Sequence, residues 1–180
     1  MVATETDRML IRHLSLEDLA ELAVMLADPE VMHHSVRGVM TQEDTRGFIA
    51  WCISLYERCG YGPFALEDKA SSALIGFCGL SPQTVGGVEE VHVGYRLARR
   101  FWARGLATEA VRAVVTGGLR QHGLESVIAI VEPDHPASCR VVEKAGFGFS
   151  QRQQFYEREV LVYRKAAPGR APKRLRLRRA

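Results

Sequence analysis

The stretch from Glu90 to Leu119, EVHVGYRLARRFWARGLATEAVRAVVTGGL, constrains this chain more than any other. It reads as a strand through Leu97, a tight turn bearing arginine and glycine, and an amphipathic helix from Thr108 to Gln121. A helix start leaves several backbone N–H groups without intrahelical partners, all facing the incoming end. Such a turn is an anion site, most naturally for phosphate. Gly105 removes a side chain where backbone must approach a ligand, Ala107 keeps the next turn small, Arg104 supplies a cation and Thr108 adds a hydroxyl. No Gly-Lys-Ser/Thr ending marks a P-loop and no GxGxxG marks a dinucleotide turn, so a diphosphate on some other carrier is favoured.

The flanking sequence supplies the rest of a fold. Leu10 to Leu14 reads as a strand, followed by a helix opened by Ser15 with Asp18, whose apolar face is Leu16, Leu19, Leu22, Ala23 and Leu26. Thr41 with Asp44 caps a second helix, carrying Phe48, Ile49, Trp51, Cys52, Leu55 and Tyr56, and Gly60 ends it. Phe64 to Glu67 and Ala73 to Leu80 read as a hairpin. After the motif helix come a strand at Val127 to Val131, a helix at Ala137 to Lys144, and strands near Phe149 to Phe155 and Glu159 to Tyr163. Strand, helix, strand implies a parallel crossover, so the chain is expected to be a single α/β domain with a mixed central sheet flanked by helices.

The run WARGLA followed by TEAVRAVV resembles motif A of the GCN5-related N-acetyltransferases, the GNAT superfamily. VEPDHPASCRVVEKAGF, from Val131 to Phe147, resembles that family's next motif, and the two stand in the right order about one strand and helix apart. The likeness spans nearly all of residues 8 to 164 and is closest to the branch that includes ribosomal-protein N-terminal acetyltransferases. Two positions depart from the superfamily pattern: Trp102 stands where most members have Gln or Arg, although Trp is common in this branch, and His135 stands where the second motif usually has Asn.

The resemblance implies an acetyl-CoA-dependent N-acetyltransferase acting on a primary amine. The backbone N–H groups of Arg104, Gly105, Leu106, Ala107 and Thr108 would hold the pyrophosphate, and the pantetheine arm would run along the strand near Tyr95 to Leu97. His135 and Ser138 would meet the arm through the second motif. The family often places a Glu on the motif strand as base; the aligned position is His92, with Glu90 two residues earlier on the same face, so the role is open between them. The family's usual tyrosine acid is replaced by Val142, which leaves Ser138, with His135, as the proton donor to the departing thiolate. At pH 7 a lysine amine is neutral only about 0.04% of the time and an α-amine roughly 14%, so an α-amine demands less of a base. The acceptor is expected to be a protein N-terminus or a small-molecule amine.

Composition bounds the alternatives. The 180 residues suit one domain. No signal-like apolar run opens the chain and no eighteen uncharged apolar residues occur together, so no membrane contact and a cytoplasmic location are expected. Cys52, Cys59, Cys78 and Cys139 lack CxxC spacing and read as buried reduced thiols, and His33 and His34 with His92 make no metal pattern, so no metal is expected. Seven cations, from Lys165 to Arg179, crowd the last sixteen residues; without them the net charge of +3 becomes about −4. The expected division is an acetyltransferase domain over 1–164 and a flexible basic tail over 165–180. Two rival readings follow: a non-catalytic acyl-CoA-binding module, suggested by the missing Tyr and Glu, and a protein acting through weak RNA or ribosome contact by its tail.

Overall fold

In the computed structural model, which describes residues 2–169, the strands are β1 (Val2–Glu5), β2 (Met9–His13), β3 (Pro63–Asp68), β4 (Leu74–Val85), β5 (Val88–Leu97), β6 (Ser126–Val131), β7 (Gly148–Phe155) and β8 (Arg158–Ala166). The helices are α1 (Leu19–Leu26), α2 (Pro29–Met32), α3 (Gln42–Cys59), α4 (Leu106–Gln121) and α5 (Pro136–Lys144). One mixed sheet takes all the strands in the order β1-β2-β3-β4-β5-β6-β8-β7. Its pairs are antiparallel except β5 with β6, the parallel crossover through α4.

Local chemistry sets the boundaries. The Thr41 hydroxyl accepts from the Asp44 N–H (3.1 Å) and the Asp44 carboxylate from the Thr41 N–H (2.9 Å), closing a capping box at the start of α3. The Asp18 carboxylate likewise accepts from the Ser15 N–H (2.9 Å), but it opens a 3-10 turn over Leu16–Asp18 before α1 begins. Leu16 therefore points outward and is exposed, while Met25 joins Leu19, Leu22 and Leu26 in the buried face. Trp51, expected in the apolar face of α3, is also exposed.

Two layers cover the sheet. On one side Ala110, Val111, Val114 and Val115 of α4 pack over Ile11, Leu66, Leu80 and Val93. On the other, Leu22 and Leu26 of α1 and Ile49 and Cys52 of α3 pack over Ala65, Leu74 and Phe77. A bulge makes this double use of β4 work. Leu66 pairs with Gly76 and Glu67 with Leu74, so Ile75 is an extra residue; Leu74 and Phe77 face one layer, Ile75 and Cys78 the other.

The sheet extends beyond what the sequence suggests. β1 is an added edge strand, α2 a single turn capped by Asp28, and β4 continues through the polar run from Ser81 to Thr84 because that run pairs with β5 as far as Val85 with Val88. All four cysteines are free; Cys52 and Cys78 are buried, Cys59 and Cys139 only half-buried. β8 carries on to Ala166, two residues past the expected domain edge at 164: Lys165 pairs with Val127, and its Nζ donates to the Ala145 carbonyl (2.7 Å). The rest of the basic tail, residues 170–180, lies outside the described residues.

Candidate active site

β5 delivers the chain into a short 3-10 turn at Arg99–Phe101 and then into α4. The Trp102 indole donates to the Leu97 carbonyl (2.7 Å), folding the turn back onto the strand end. Ala103 (φ 58°) and Gly105 (φ 78°) both take left-handed backbone, which a glycine adopts at little cost. Leu106 is buried and anchors the first helical turn. The first intrahelical bond is Glu109 N–H to Gly105 C=O (3.1 Å), so the N–H groups of Leu106, Ala107 and Thr108 have no partner within the helix. The helix thus begins at Leu106, two residues before the expected Thr108.

Arg8, which sequence reasoning overlooked, fixes this turn from the opposite edge of the layer. Its Nη1 donates to the Arg104 carbonyl (2.8 Å) and its Nε to Glu109 (2.7 Å). Burial opposes ionisation of Glu109, yet hydrogen bonds from Thr6 and Arg8 hold its carboxyl below the usual range. The acidic residue in the helix's first turn is thereby neutralised by Arg8, and the exposed Arg104 is left as the turn's cation, stacked beside Phe101 (5.7 Å). Gly105 and Thr108 open onto a broad groove of about 840 Å³ that also takes in Arg8 and Arg112.

Past His92 the sheet splits. β5 pairs with β4 along its whole length, but among the described residues its ladder to β6 consists of His92 with Ile128. From Gly94 onward one edge of β5 has no strand beside it among the described residues. The amino end of α5 closes this opening, with His135 as the residue preceding the helix and Pro136 at its first turn. Ser138 is buried there, and its Oγ lies 2.6 Å from the Tyr95 Oη. Burial pushes the Tyr95 phenol well above its ordinary range, so it remains protonated. Val142, at the position where a tyrosine would stand in the second motif, is fully buried in the core.

On the α1 and α3 side the opening widens into a cleft of about 380 Å³ lined by His92, Gly94, Tyr95, Arg96, His135 and Ser138, among others. Burial, and then the charge of Arg96, pull His92 down to about 4. His135 is also pulled to about 4, by burial first and then by His34 and Arg96, and its ring stacks on His34 at 3.9 Å. His34 Nδ1 lies 2.8 Å from Glu132, which also pairs with Arg158 (2.5 Å). His34, Glu132 and Asp134 bring their ligand-type atoms within 4.8 Å of one another.

The expected site residues divide accordingly. Tyr95, His92, His135 and Ser138 meet around one cleft, and Arg104 through Thr108 form the turn at the carboxyl end of the strand. Leu97 does not reach the cleft: its side chain is in the core and its carbonyl is taken by Trp102. Glu90, expected as the alternative base, stands apart from these residues. Both its oxygens are held by the guanidinium of buried Arg164 (2.7 and 3.0 Å), so it serves an internal ion pair and is absent from the cleft lining. Arg96 was missed, although alternation alone places it on the same strand face as His92.

Comparison with known proteins gives the architecture its relatives. Residues 8–148 match the family model described as an acetyltransferase (GNAT) domain. The YkkB protein of Bacillus subtilis (strain 168) is 31% identical over 159 residues, covering 88% of this chain and 92% of its own length. An acetyltransferase of the GNAT family from Bacillus anthracis superposes with a TM-score of 0.79 at 22% identity, over 91% of this chain and 97% of that one. RimL, a ribosomal L7/L12 alpha-N-protein acetyltransferase solved in complex with coenzyme A, superposes with a TM-score of 0.76 at 16% identity, over 92% and 98%.

Proposed function

This chain belongs to the GNAT acetyltransferase family, and from that premise we propose that it moves an acetyl group from acetyl-CoA directly to a primary amine seated in the cleft beside His92. The observation that carries the reading is the coincidence of two openings. The unpartnered N–H groups at the start of α4 lie at the carboxyl end of the same strand whose free edge and cleft begin at Gly94. The first suits a diphosphate and the second an extended amide-bearing arm that can pair with a strand edge.

Acetyl-CoA supplies an activated thioester; the residues of this chain position it and move protons. Charge-assisted hydrogen bonds contribute about 1.5 to 3 kcal/mol each, so the N–H groups of Arg104 through Thr108 can anchor a diphosphate without a metal. His92 is uncharged at neutral pH and can accept the amine's proton directly or through one water. The Tyr95 and Ser138 hydroxyls are hydrogen-bonded at 2.6 Å, one donating to the other, and are suited to pass a proton to the departing thiolate. The balance is one proton lost by nitrogen and one gained by sulfur. Glu90 has no part in the transfer and holds Arg164 instead.

The acceptor is a small-molecule amine or a protein N-terminus; the second is the substrate class in RimL's description. Direct transfer is tested by mass spectrometry of the protein mixed with acetyl-CoA alone. The protein should stay unmodified, and an acetyl adduct on the half-buried Cys139 that is chased to an amine would contradict direct transfer.

A further inference from the structure

Three arginines of the described residues are at least half-buried: Arg164 is buried, and Arg12 and Arg96 are partly so. Arg12 is held by Asp18 (2.7 Å) and Glu67 (2.8 Å), and Arg164 by Glu90 (2.7 Å). Arg96 has no carboxylate in hydrogen-bond or ion-pair contact among the described residues. The one hydrogen bond of its guanidinium among the described residues runs from Nη1 to the Val31 carbonyl (3.2 Å), which leaves most of a five-donor fork unspent. Burial lowers its pKa and outweighs the opposing charge of Glu132, as for a cation held where charge is costly.

The surroundings supply an anion only at a distance: the charge of Glu132 favours the guanidinium without a hydrogen bond or ion pair to it. Glu132 is the only acidic side chain lining the cleft among the described residues, and its two oxygens are taken by His34 (2.8 Å) and Arg158 (2.5 Å). Arg37, Arg96 and Arg158 line the same space, so the cleft carries an excess of positive charge. Gly94 stands between His92 and Arg96 on one strand face, and its missing side chain leaves the floor open between them; the His92 ring leans over it, 3.4 Å from where a Cβ would sit.

We propose that Arg96 seats a carboxylate of the acceptor, making the substrate an amine with a carboxylate a few atoms from its nitrogen. The inference deepens the amine-acetylation reading above and rests on it. A guanidinium matches a carboxylate in two parallel hydrogen bonds, which fixes orientation as well as position. Apolar walls from Phe48, Phe77 and Met32 leave room for an aliphatic body. An anion on Arg96 would also cancel one of the two influences that hold His92 neutral, strengthening it as a base only when the right acceptor is present. The other charged or titratable groups lining that space, His34, His135, Glu132, Arg37 and Arg158, remain in place either way.

The test pairs each amine with a partner that lacks only the negative charge: free α-amino acids against their carboxamides, and short peptides with Asp or Glu at the second position against those with Asn or Gln. The wild-type protein should favour the carboxylate member by about 10- to 100-fold in kcat/KM, the range for a charged hydrogen bond. In Arg96→Met that ratio should collapse toward one, and Arg96→Lys should restore part of it. Binding gives a second readout that needs no variant: short carboxylic acids without an amine should compete with the acceptor and not with acetyl-CoA. Preference among free amino acids alone identifies a small-molecule acceptor, and preference confined to acidic peptides identifies a protein N-terminus. Equal turnover of both members, with no competition by carboxylic acids, overturns the inference and leaves amine acetylation standing. Failure of every amine to accept an acetyl group, with acetyl-CoA still bound, overturns both.

Discussion

His92 stays uncharged through the physiological range because its cleft partly desolvates it and because Arg96 adds positive charge nearby, and together these pull it to about 4. An imidazole with that pKa is already in its accepting form at pH 5. The acid limb it imposes on kcat/KM of the free enzyme should therefore lie near pH 4, not between 5 and 8 as an ordinary imidazole would give, and His92→Ala should lower kcat by about 10²- to 10⁴-fold with acetyl-CoA affinity retained. A steady-state pH profile of both proteins checks this; an unchanged kcat would remove His92 from the mechanism. Folding feels the same shift. Unfolded His92 gains its proton below about 6.5 and the folded residue only near 4, so stability falls as pH drops through that window, and His92→Asn should reduce the fall in urea titrations. Glu90 behaves differently because its partner is almost wholly buried. Glu90→Gln would leave the Arg164 charge uncompensated and should cost about 3–5 kcal/mol in unfolding free energy, with a far smaller effect on turnover at a temperature where the variant is folded. A selective loss of turnover without loss of stability would return Glu90 to the catalytic role that sequence alone left open.

The element that most directly holds the cofactor reading is the turn into α4. Gly105 has φ 78°, so a β-branched residue is strained there and puts bulk beside the free N–H groups. Gly105→Val should weaken acetyl-CoA binding at least about 10-fold in calorimetry, the loss of one charged hydrogen bond or more, while circular dichroism stays native; unchanged affinity would place the diphosphate elsewhere. At the other side of the opening, Tyr95→Phe and Ser138→Ala should each lower kcat by about 10-fold or more, and the double variant by less than the product, because the two hydroxyls are joined in one hydrogen bond. This turn and the start of α3 were legible in the sequence because each depends on local backbone chemistry: Thr41 with Asp44 and Gly105 act within a few residues of themselves. β1, the single turn of α2 and the extension of β4 past Ser81 were not legible. Their residues lack strong periodicity, and they exist because a neighbouring strand or helix is there to receive them.

The whole molecule gathers its cleft from distant parts of the chain. Arg96 comes from β5, Met32 from α2, Glu132 from just past β6 and Arg158 from β8. Sequence alternation could place Arg96 beside His92, but whether its charge was already paired depended on where Glu132 and Arg158 lay, which no local pattern encodes. The same holds for Arg8, which reaches the α4 turn from the far end of the sheet. Arg164 and Lys165 belong to the last sheet strand, so removing everything after Tyr163 should destabilise the protein, whereas removal after Gly169 should leave the melting temperature and small-amine turnover nearly unchanged. Thermal melts of the two truncations separate these outcomes. The most direct measurement of the central claim is thiol release from acetyl-CoA followed together with the mass of the amine. Coenzyme A should appear only when an amine is present, in equal amount to a product heavier by one acetyl group. Thiol release that is independent of any amine, or none with any amine despite bound acetyl-CoA, would contradict it.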